Sequence, residues 1–523
     1  MSGGRYETQL CTVLVAEQFG QAVADVAEKL LKEDCQLPSL AFKLRPTYNM
    51  AMIRKALAVL INFGFVTFVL DTNKRPVYTA HGDQILRLLT VPRFCLLVKT
   101  LYGSVAEDVC VELFSEGQLT CSDVLRRVFS RNDTLTIEEL KKTFCDLTQA
   151  QFIIRSPAIS GVSNGCPQLE HVQAPFNMPD SIFQVNNGPG EEKGRKRKSA
   201  KDEDDGIYWR VNWARFDVYA RDEMITEFLI TNTTVGRKMP DICIKTIQAL
   251  FKTIELRASS LRMTATSPVS MLDMVKSAKE NALTLEKADM AYVLGEFADE
   301  TKGLVRKAGD SGGGLFVVDI EKTLTEICKH HSESLVREQF EGRAVRIMRL
   351  MEERHFLDEE QVEKLLMMGA KETKELLYAL LEEGFIFTRP IGRTNDFQPA
   401  RTFYLYHVDL QRTVRSLIEC TCKLLRNLIL RNAHERRENK QLIEKDLTTG
   451  PIIEGIRANE ELDEASKKAQ IEEVEEMYLP GHDRAKLERY RRSRSTLLAA
   501  QEKASQALFA FRLFLDVSVP QKA

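Results

Sequence analysis

One local pattern recurs along the chain and limits its fold more than any other feature. It is an amphipathic helix, a tight turn and then a short β-prone run. KALAVLINFGFVTF turns at Gly64-Phe65, LKKTFCDLTQAQFIIR at Gln151-Phe152, MAYVLGEFADETKGLVRK at Gly303-Leu304, and ELLYALLEEGFIFTR at Gly384-Phe385. In the first, second and fourth copies a leucine stands four positions before the turn residue (Leu60, Leu147, Leu380). The third copy runs two residues longer after Phe297. Apolar residues change from helical spacing to alternation in every copy, which marks a helix running into a strand.

The first copy shows the whole unit. Residues 19–33 place Val23, Val26, Ala27, Leu30 and Leu31 on one helical face, and Gln36-Leu37-Pro38-Ser39 ends that helix. A helix from Tyr48 to Phe63 buries Ile53, Ala56, Leu57 and Leu60. Phe65–Val69 and Pro76–Thr79 then pair as strands about a turn at Asp71–Lys74. Helices closed by a hairpin are the winged-helix plan, a relative of the helix-turn-helix. A chain of 523 residues holds several domains, and modules of roughly 80–100 residues fit all four copies.

Residues 158–205 are expected to be a flexible charged linker, rich in Gly, Pro, Ser and Asn and then charged. Within it Arg195, Lys196, Arg197 and Lys198 have the composition of a nuclear-import or nucleic-acid patch. The competing reading is a solvated charge run. From Leu410 onward strand signals stop. A long amphipathic helix with Val414, Leu417, Ile418, Leu424, Leu425, Leu428 and Ile429 as its stripe is expected to break at Thr449-Gly450-Pro451. An acidic stretch (460–476) and a helix opened by Arg484, Lys486, Arg489, Arg491, Arg492 and Arg494 follow. Two long helices joined by a broken segment predict an antiparallel coiled-coil hairpin, favoured by opposite charge in its arms.

The expected fold class is therefore mainly α with small β-hairpins: four tandem winged-helix domains followed by a C-terminal coiled-coil hairpin. The expected division is winged helices at 1–82 and 83–157, the linker at 158–205, winged helices at 206–320 and 321–409, and the coiled coil at 410–523.

Catalytic and metal chemistry find little support. Gly309-Asp310-Ser311-Gly312-Gly313 spells the surroundings of a serine-protease nucleophile. A nucleophilic serine needs a positioned histidine and an orienting aspartate. The segment reads better as a turn between strands Leu304–Lys307 and Leu315–Val318, where Gly and Asp accept positive φ. Cys420 and Cys422 lie near His434, but positions two apart on a helix face different ways. His330-His331 reads as a polar helix face. No phosphate-binding glycine loop occurs, and no cofactor is expected. The N-terminus lacks a signal-peptide pattern, and the longest apolar run, Ala56–Leu70, is broken by Asn62, Gly64 and Thr67. Eleven cysteines without a CxxC pair read as reduced thiols of an intracellular protein.

Charge decides between nucleic acid and protein as partner. Lys and Arg number 73 against 75 Asp and Glu, which excludes a polycation but says nothing of local patches. The helix before the fourth turn carries Glu372, Glu375, Glu382 and Glu383 against Lys371 and Lys374. The third carries Glu286, Asp289, Glu296, Asp299 and Glu300 around Lys287. Such helices repel phosphate. The first module is basic, with Lys43, Arg45, Arg54, Lys55, Lys74 and Arg75; the third module's hairpin adds Lys302, Arg306 and Lys307. Most modules are thus expected to bind protein. The DNA-proximal candidates are Arg45, Arg54, Lys55, Lys74, Arg75, Lys302, Arg306 and Lys307, for limited contact without sequence readout. The competing reading of each is a solubilising charge.

With four winged modules, a basic linker and a coiled coil, the chain resembles the third-largest subunit of eukaryotic RNA polymerase III. Asp204-Asp205-Gly206-Ile207-Tyr208-Trp209 is similar to the start of that family's third module, Lys307 to Gly314 to its hairpin, and Arg401-Thr402-Phe403-Tyr404-Leu405-Tyr406 to the last strand of the fourth. Lys99-Thr100-Leu101-Tyr102 falls where the family has a similar string in its second module. The resemblance spans nearly the whole chain, and that family is itself similar to the alpha subunit of TFIIE. It implies a non-catalytic subunit of the nuclear enzyme that makes transfer RNA, 5S ribosomal RNA and other short transcripts. Implied partners are the clamp of the largest subunit, a smaller winged-helix subunit and an acidic-tailed subunit that complete a heterotrimer, and the promoter-bound initiation factor. The implied role is initiation and promoter opening; no membrane is involved. The alternative is a winged-helix scaffold of a proteolysis or ubiquitin-ligase assembly, where a long helical solenoid would usually precede a single winged helix.

Overall fold

The computed structural model describes residues 4–71, 75–131, 136–163, 166–170, 174–178, 206–255, 261–280, 285–301, 303–392, 402–458, 464–478 and 480–518. The first module comprises α1 (Arg5–Phe19), α2 (Gln21–Lys32), β1 (Cys35–Gln36), α3 (Leu37–Lys43), α4 (Met50–Asn62), β2 (Val66–Leu70) and β3 (Pro76–Ala80). Helix α5 (Gly82–Leu86) and a 3-10 turn lead to the second module: α6 (Val91–Tyr102), α7 (Ser104–Glu116), β4 (Leu119–Thr120), α8 (Cys121–Arg131), α9 (Ile137–Gln149) and β5 (Ile153–Arg155). Strands β6 (Ala158–Ser163), β7 (Cys166–Glu170) and β8 (Tyr208–Val211) follow. The third module holds α10 (Trp213–Asn232), α11 (Thr234–Lys238), α12 (Pro240–Glu255), β9 (Val269–Ser270), α13 (Met271–Glu280), α14 (Lys287–Glu300), β10 (Val305–Gly309) and β11 (Leu315–Val318). The fourth holds α15 (Ile320–Arg354), α16 (Glu359–Leu366), α17 (Ala370–Glu382), β12 (Phe387–Gly392) and β13 (Thr402–His407). The chain ends in α18 (Leu410–Glu438), α19 (Lys440–Ala458), α20 (Glu464–Tyr478) and α21 (Gly481–Ser518).

The four modules share one pairing scheme. A short first strand pairs antiparallel with the returning strand of the wing, and an aromatic residue of that strand sits at the pairing point. The pairs are Cys35 with Tyr78, Leu119 with Trp209, Val269 with Phe316, and Leu357 with Tyr406. Each ring closes the core beneath its sheet, the largest apolar load a single pleat position carries.

That scheme moves two expected boundaries. Strand β8 does not begin the third module; it is the middle strand of the second sheet, in the order β4-β8-β5. The chain therefore leaves this sheet after Arg155 and re-enters it at Tyr208, so β8 belongs to the second module and not to the third. Part of the expected linker is ordered, since β6 and β7 pair as a hairpin. Polar composition alone could not reveal this, because strand pairing is non-local. The basic cluster Arg195–Lys198 lies outside the described residues.

All four turns have the left-handed backbone their position requires: Gly64 (φ 73°), Gln151 (φ 66°), Gly303 (φ 96°) and Gly384 (φ 77°). After them the N–H groups of Phe65, Phe152 and Phe385 donate to the carbonyls of Leu60, Leu147 and Leu380 at 2.9, 3.0 and 2.9 Å. This is a Schellman closure, and in these three copies it joins a helix end at which the leucine four residues before the turn and the phenylalanine after it are both buried. In the third copy Leu304 instead donates to Thr301, at 3.2 Å.

A second repeat lies at the helix corners. Gly20 and Gly103, both at φ 88°, join α1 to α2 and α6 to α7, each after an aromatic residue (Phe19, Tyr102). The equivalent bend in α15 follows Phe340 but falls on Glu341, at φ 65° and ψ −178°. That backbone region belongs almost wholly to glycine, and a side chain there costs about 1–3 kcal/mol. Glu341 is exposed, so Glu341→Gly should stabilise the fourth module by about 1 kcal/mol or more. Urea unfolding followed at the fourth module checks this, and unchanged stability would remove strain from the account of the corner.

The terminal hairpin is antiparallel, as expected, but it is not free-standing. Cys422, Leu425 and Ile429 of α18, with Ala504 and Leu508 of α21, are buried in the core of the first module. Val414 and Leu417, with Phe511, Leu513 and Phe514, belong to the core of the third and fourth modules. The backbone N–H of Tyr6 donates to the Glu419 carboxylate at 3.0 Å, and Arg512 binds Glu7 and Asp83. His331, expected on a polar face, packs its ring on Phe511 at 5.7 Å, and burial pulls its pKa down. The expected break at Thr449-Gly450-Pro451 is also corrected. The chain bends at Asn439, and α19 runs through Pro451. Pro451 frees a carbonyl one turn earlier, at Leu447, an exposed residue where water can satisfy it. The basic arm pairs with α19, through Arg491–Asp446 (2.7 Å), and Lys445 binds Asp483 (2.9 Å).

Candidate nucleic-acid interface

The first module presents the basic surface. Helix α4 buries Ile53, Ala56, Leu57 and Leu60 and leaves Met52, Arg54 and Lys55 outward. Arg45 is exposed in the turn before α4, and Arg75 at the base of β3. Arg45, Arg54, Lys55 and Arg75 make no ion pair among the described residues. Lys74, expected beside them, lies outside the described residues. Lys43 is engaged: it binds the Glu33 carboxylate, which raises its pKa, and its ammonium lies 3.4 Å from Cys35 Sγ.

The third module's hairpin contributes less than its composition suggested. Arg306 is exposed, but Lys307 is paired with Asp310, whose carboxyl it holds below its usual pKa. Lys302 lies outside the described residues. Between the strands, Ser311–Gly313 form a 3-10 turn with Gly312, Gly313 and Gly314 at positive φ. This is the turn anticipated for the protease-like string. Cys420 is exposed and Cys422 buried, so the two thiols face apart. Among the described residues no group of three metal-ligating side chains comes together.

A partly buried charge cluster on α10 was not anticipated. Arg87 reaches Asp217 at 2.7 Å, Arg93 reaches Glu223 at 2.8 Å, and Arg215 binds Glu255. Burial raises the Asp217 carboxyl even against the pull of Arg87. One side of α10 (Phe216, Ala220) belongs to the second core and the other (Ile225, Leu229) to the third. Arg87 and Arg93 therefore tie the second module to α10, and Arg215 ties α10 to α12 of the third. Their signal in sequence was the set of charges interleaved with the apolar residues of a long helix.

Three family models match along the chain. The helix-turn-helix domain of RNA polymerase III subunit RPC82 covers residues 9–71, the model of subunit RPC82 covers 170–327, and the C-terminal winged-helix domain of POLR3C covers 332–408. The DNA-directed RNA polymerase III subunit RPC3 of Bos taurus is 30% identical over 98% of both chains. The chain belongs to the RPC3 (RPC82) family of RNA polymerase III subunits. The RPC3 of Homo sapiens is 29% identical over 99% of both chains. That of Dictyostelium discoideum matches at 27% over 33% of this chain and 26% of its own. Membership accords with the fourfold winged-helix fold, and none of these RPC3 relatives supports the ubiquitin-ligase reading.

Proposed function

We propose that this RPC3-family chain is a structural, non-catalytic subunit of nuclear RNA polymerase III. The observation that carries the reading is a family match over nearly the full length of a chain whose first, third and fourth winged modules share their cores with one helical spine. Such a body offers broad rigid surfaces to several partners. By family resemblance these are the clamp of the largest subunit, a smaller winged-helix subunit, an acidic-tailed subunit and the promoter-bound initiation factor. The role is initiation and promoter opening at transfer RNA, 5S ribosomal RNA and other small genes. Affinity purification of the tagged full chain from nuclear extract should bring down the largest polymerase III subunits; their absence would overturn the reading.

Within that role the first module touches DNA without reading sequence, through Arg45, Arg54, Lys55 and Arg75. Changing all four to Glu should weaken binding of a DNA duplex by roughly tenfold or more at low salt and flatten its salt dependence. Fluorescence anisotropy across a salt series measures both, and an unaltered slope would sink the assignment.

A further inference from the structure

The fourth module carries an apolar surface that the proposed DNA contacts do not use. The register of β12 and β13 pairs Phe387 with His407, Arg389 with Leu405, and Ile391 with Phe403. Cross-strand partners share a face of the sheet, as do alternate residues of one strand. These six side chains therefore line one face, while Tyr406 turns to the other and is buried against the core. Phe356 extends the surface, its ring 5.2 Å from that of His407. Phe356, Ile391 and Phe403 are 42%, 48% and 53% exposed, an aromatic and aliphatic cluster on a two-stranded wing.

Two guanidinium groups frame this face. Arg389 lies over the Phe356 ring at 5.7 Å, and Arg412 over Phe387 at 5.6 Å. Stacking of this kind leaves the N–H edges of a guanidinium free for a carboxylate. Arg412 shares Asp409 at 3.2 Å, whereas Arg389 has no ion-pair partner among the described residues. An arginine without an ion pair among the described residues, stacked beside exposed apolar side chains, suits a ligand with the complementary pair of features.

We propose that this face of the wing docks a segment of a partner protein in which carboxylates flank an aromatic or aliphatic side chain. The apolar group covers Ile391 and Phe403, and a carboxylate closes on Arg389. A phosphate backbone fits poorly, because α17, placed as a groove-reading helix would be, exposes Glu375 and Glu382. Strand addition fits poorly too. The outer strand β12 contains Pro390, which has no N–H to offer an added strand. The partner therefore lies across the face. The inference stands on the fourth module alone and does not depend on assembly into the polymerase.

The test uses the full chain and labelled peptides in fluorescence anisotropy. The probes are a short peptide alternating Asp with Phe and Leu, its lysine counterpart, and a counterpart with Ala in place of the apolar residues. The first should bind, and each of the other two more weakly by roughly tenfold. Arg389→Glu should weaken the first peptide to a similar degree, as should Phe403→Ser. Both are surface changes whose thermal unfolding should match the parent chain, and Arg54→Glu in the first module should change nothing. Equal binding of the three peptides, or unchanged affinity in Arg389→Glu, overturns the proposal. So does a single-stranded oligonucleotide that binds this face, with loss in Arg389→Glu, where the acidic peptide does not.

Discussion

A fragment of residues 83–157 will fail to fold, and a fragment of residues 83–222 will fold. The shorter piece matches the apparent module boundary but lacks β8, the middle strand of the second sheet. Without β8, β4 and β5 lose their strand partner, since among the described strands each pairs with β8 alone. The core loses more. Trp209 is fully buried, with its ring edge-on to Phe144 at 5.7 Å, and Val211, Phe216 and Ala220 belong to the same cluster. Removing one large buried aromatic side chain costs about 3–5 kcal/mol. Losing the group together exceeds what a small domain holds in reserve, about 5–15 kcal/mol. Circular dichroism and urea melts should show a cooperative transition only for the longer fragment. Addition of a peptide of residues 206–222 to the shorter piece should restore it in part. A cooperative transition for 83–157 alone would refute the topology.

Arg221→Met should destabilise the joint between the second and third modules by about 3–5 kcal/mol at neutral pH, because it strands a buried carboxylate. Arg221 is 2% exposed and donates from Nε and Nη2 to Asp222 at 2.9 and 2.7 Å, and from Nη1 to the Leu261 carbonyl at 3.3 Å. Burial pushes the Asp222 carboxyl up to about 6, against the opposing pull of Arg221. A carboxyl raised above its unfolded value, about 3.9, adds stability at low pH that is lost as pH rises through the folded pKa. Without the guanidinium the carboxyl rises further, and the loss extends to higher pH. The cost of Arg221→Met should therefore be larger at pH 8 than at pH 5. Arg221→Met combined with Asp222→Leu removes both charges and should recover most of the stability. Urea unfolding at the two pH values reads all three outcomes. A cost independent of pH would mean that lost packing, not the ion pair, accounts for it.

The fold was legible where its signals are local. A helix that stops at Gly64, Gln151 or Gly384 must turn left-handed there, and residues a few positions apart carry that information. The helix corners at Gly20 and Gly103 were equally local and were missed. The signal was the aromatic-glycine pair, which also marks α1. The candidate site was legible in part. Arg45, Arg54, Lys55 and Arg75 are where basic composition put them, outward and without ion pairs among the described residues. Lys307 was misjudged because Asp310, three residues on in the turn, neutralises it. No count of charges shows which lysine a nearby carboxylate will take.

By itself the sequence determined that the chain consists of winged modules ending in a helical hairpin, because helix period, turn residues and β-branched runs act over a few residues. Only the tertiary structure decided that Trp209 completes the second sheet, that α10 fastens two modules, and that α18 and α21 bury their apolar stripes in the modules themselves. These are choices between partners far apart in the chain. Each apolar stripe had several faces it could have covered, and the partner is selected by packing of the whole.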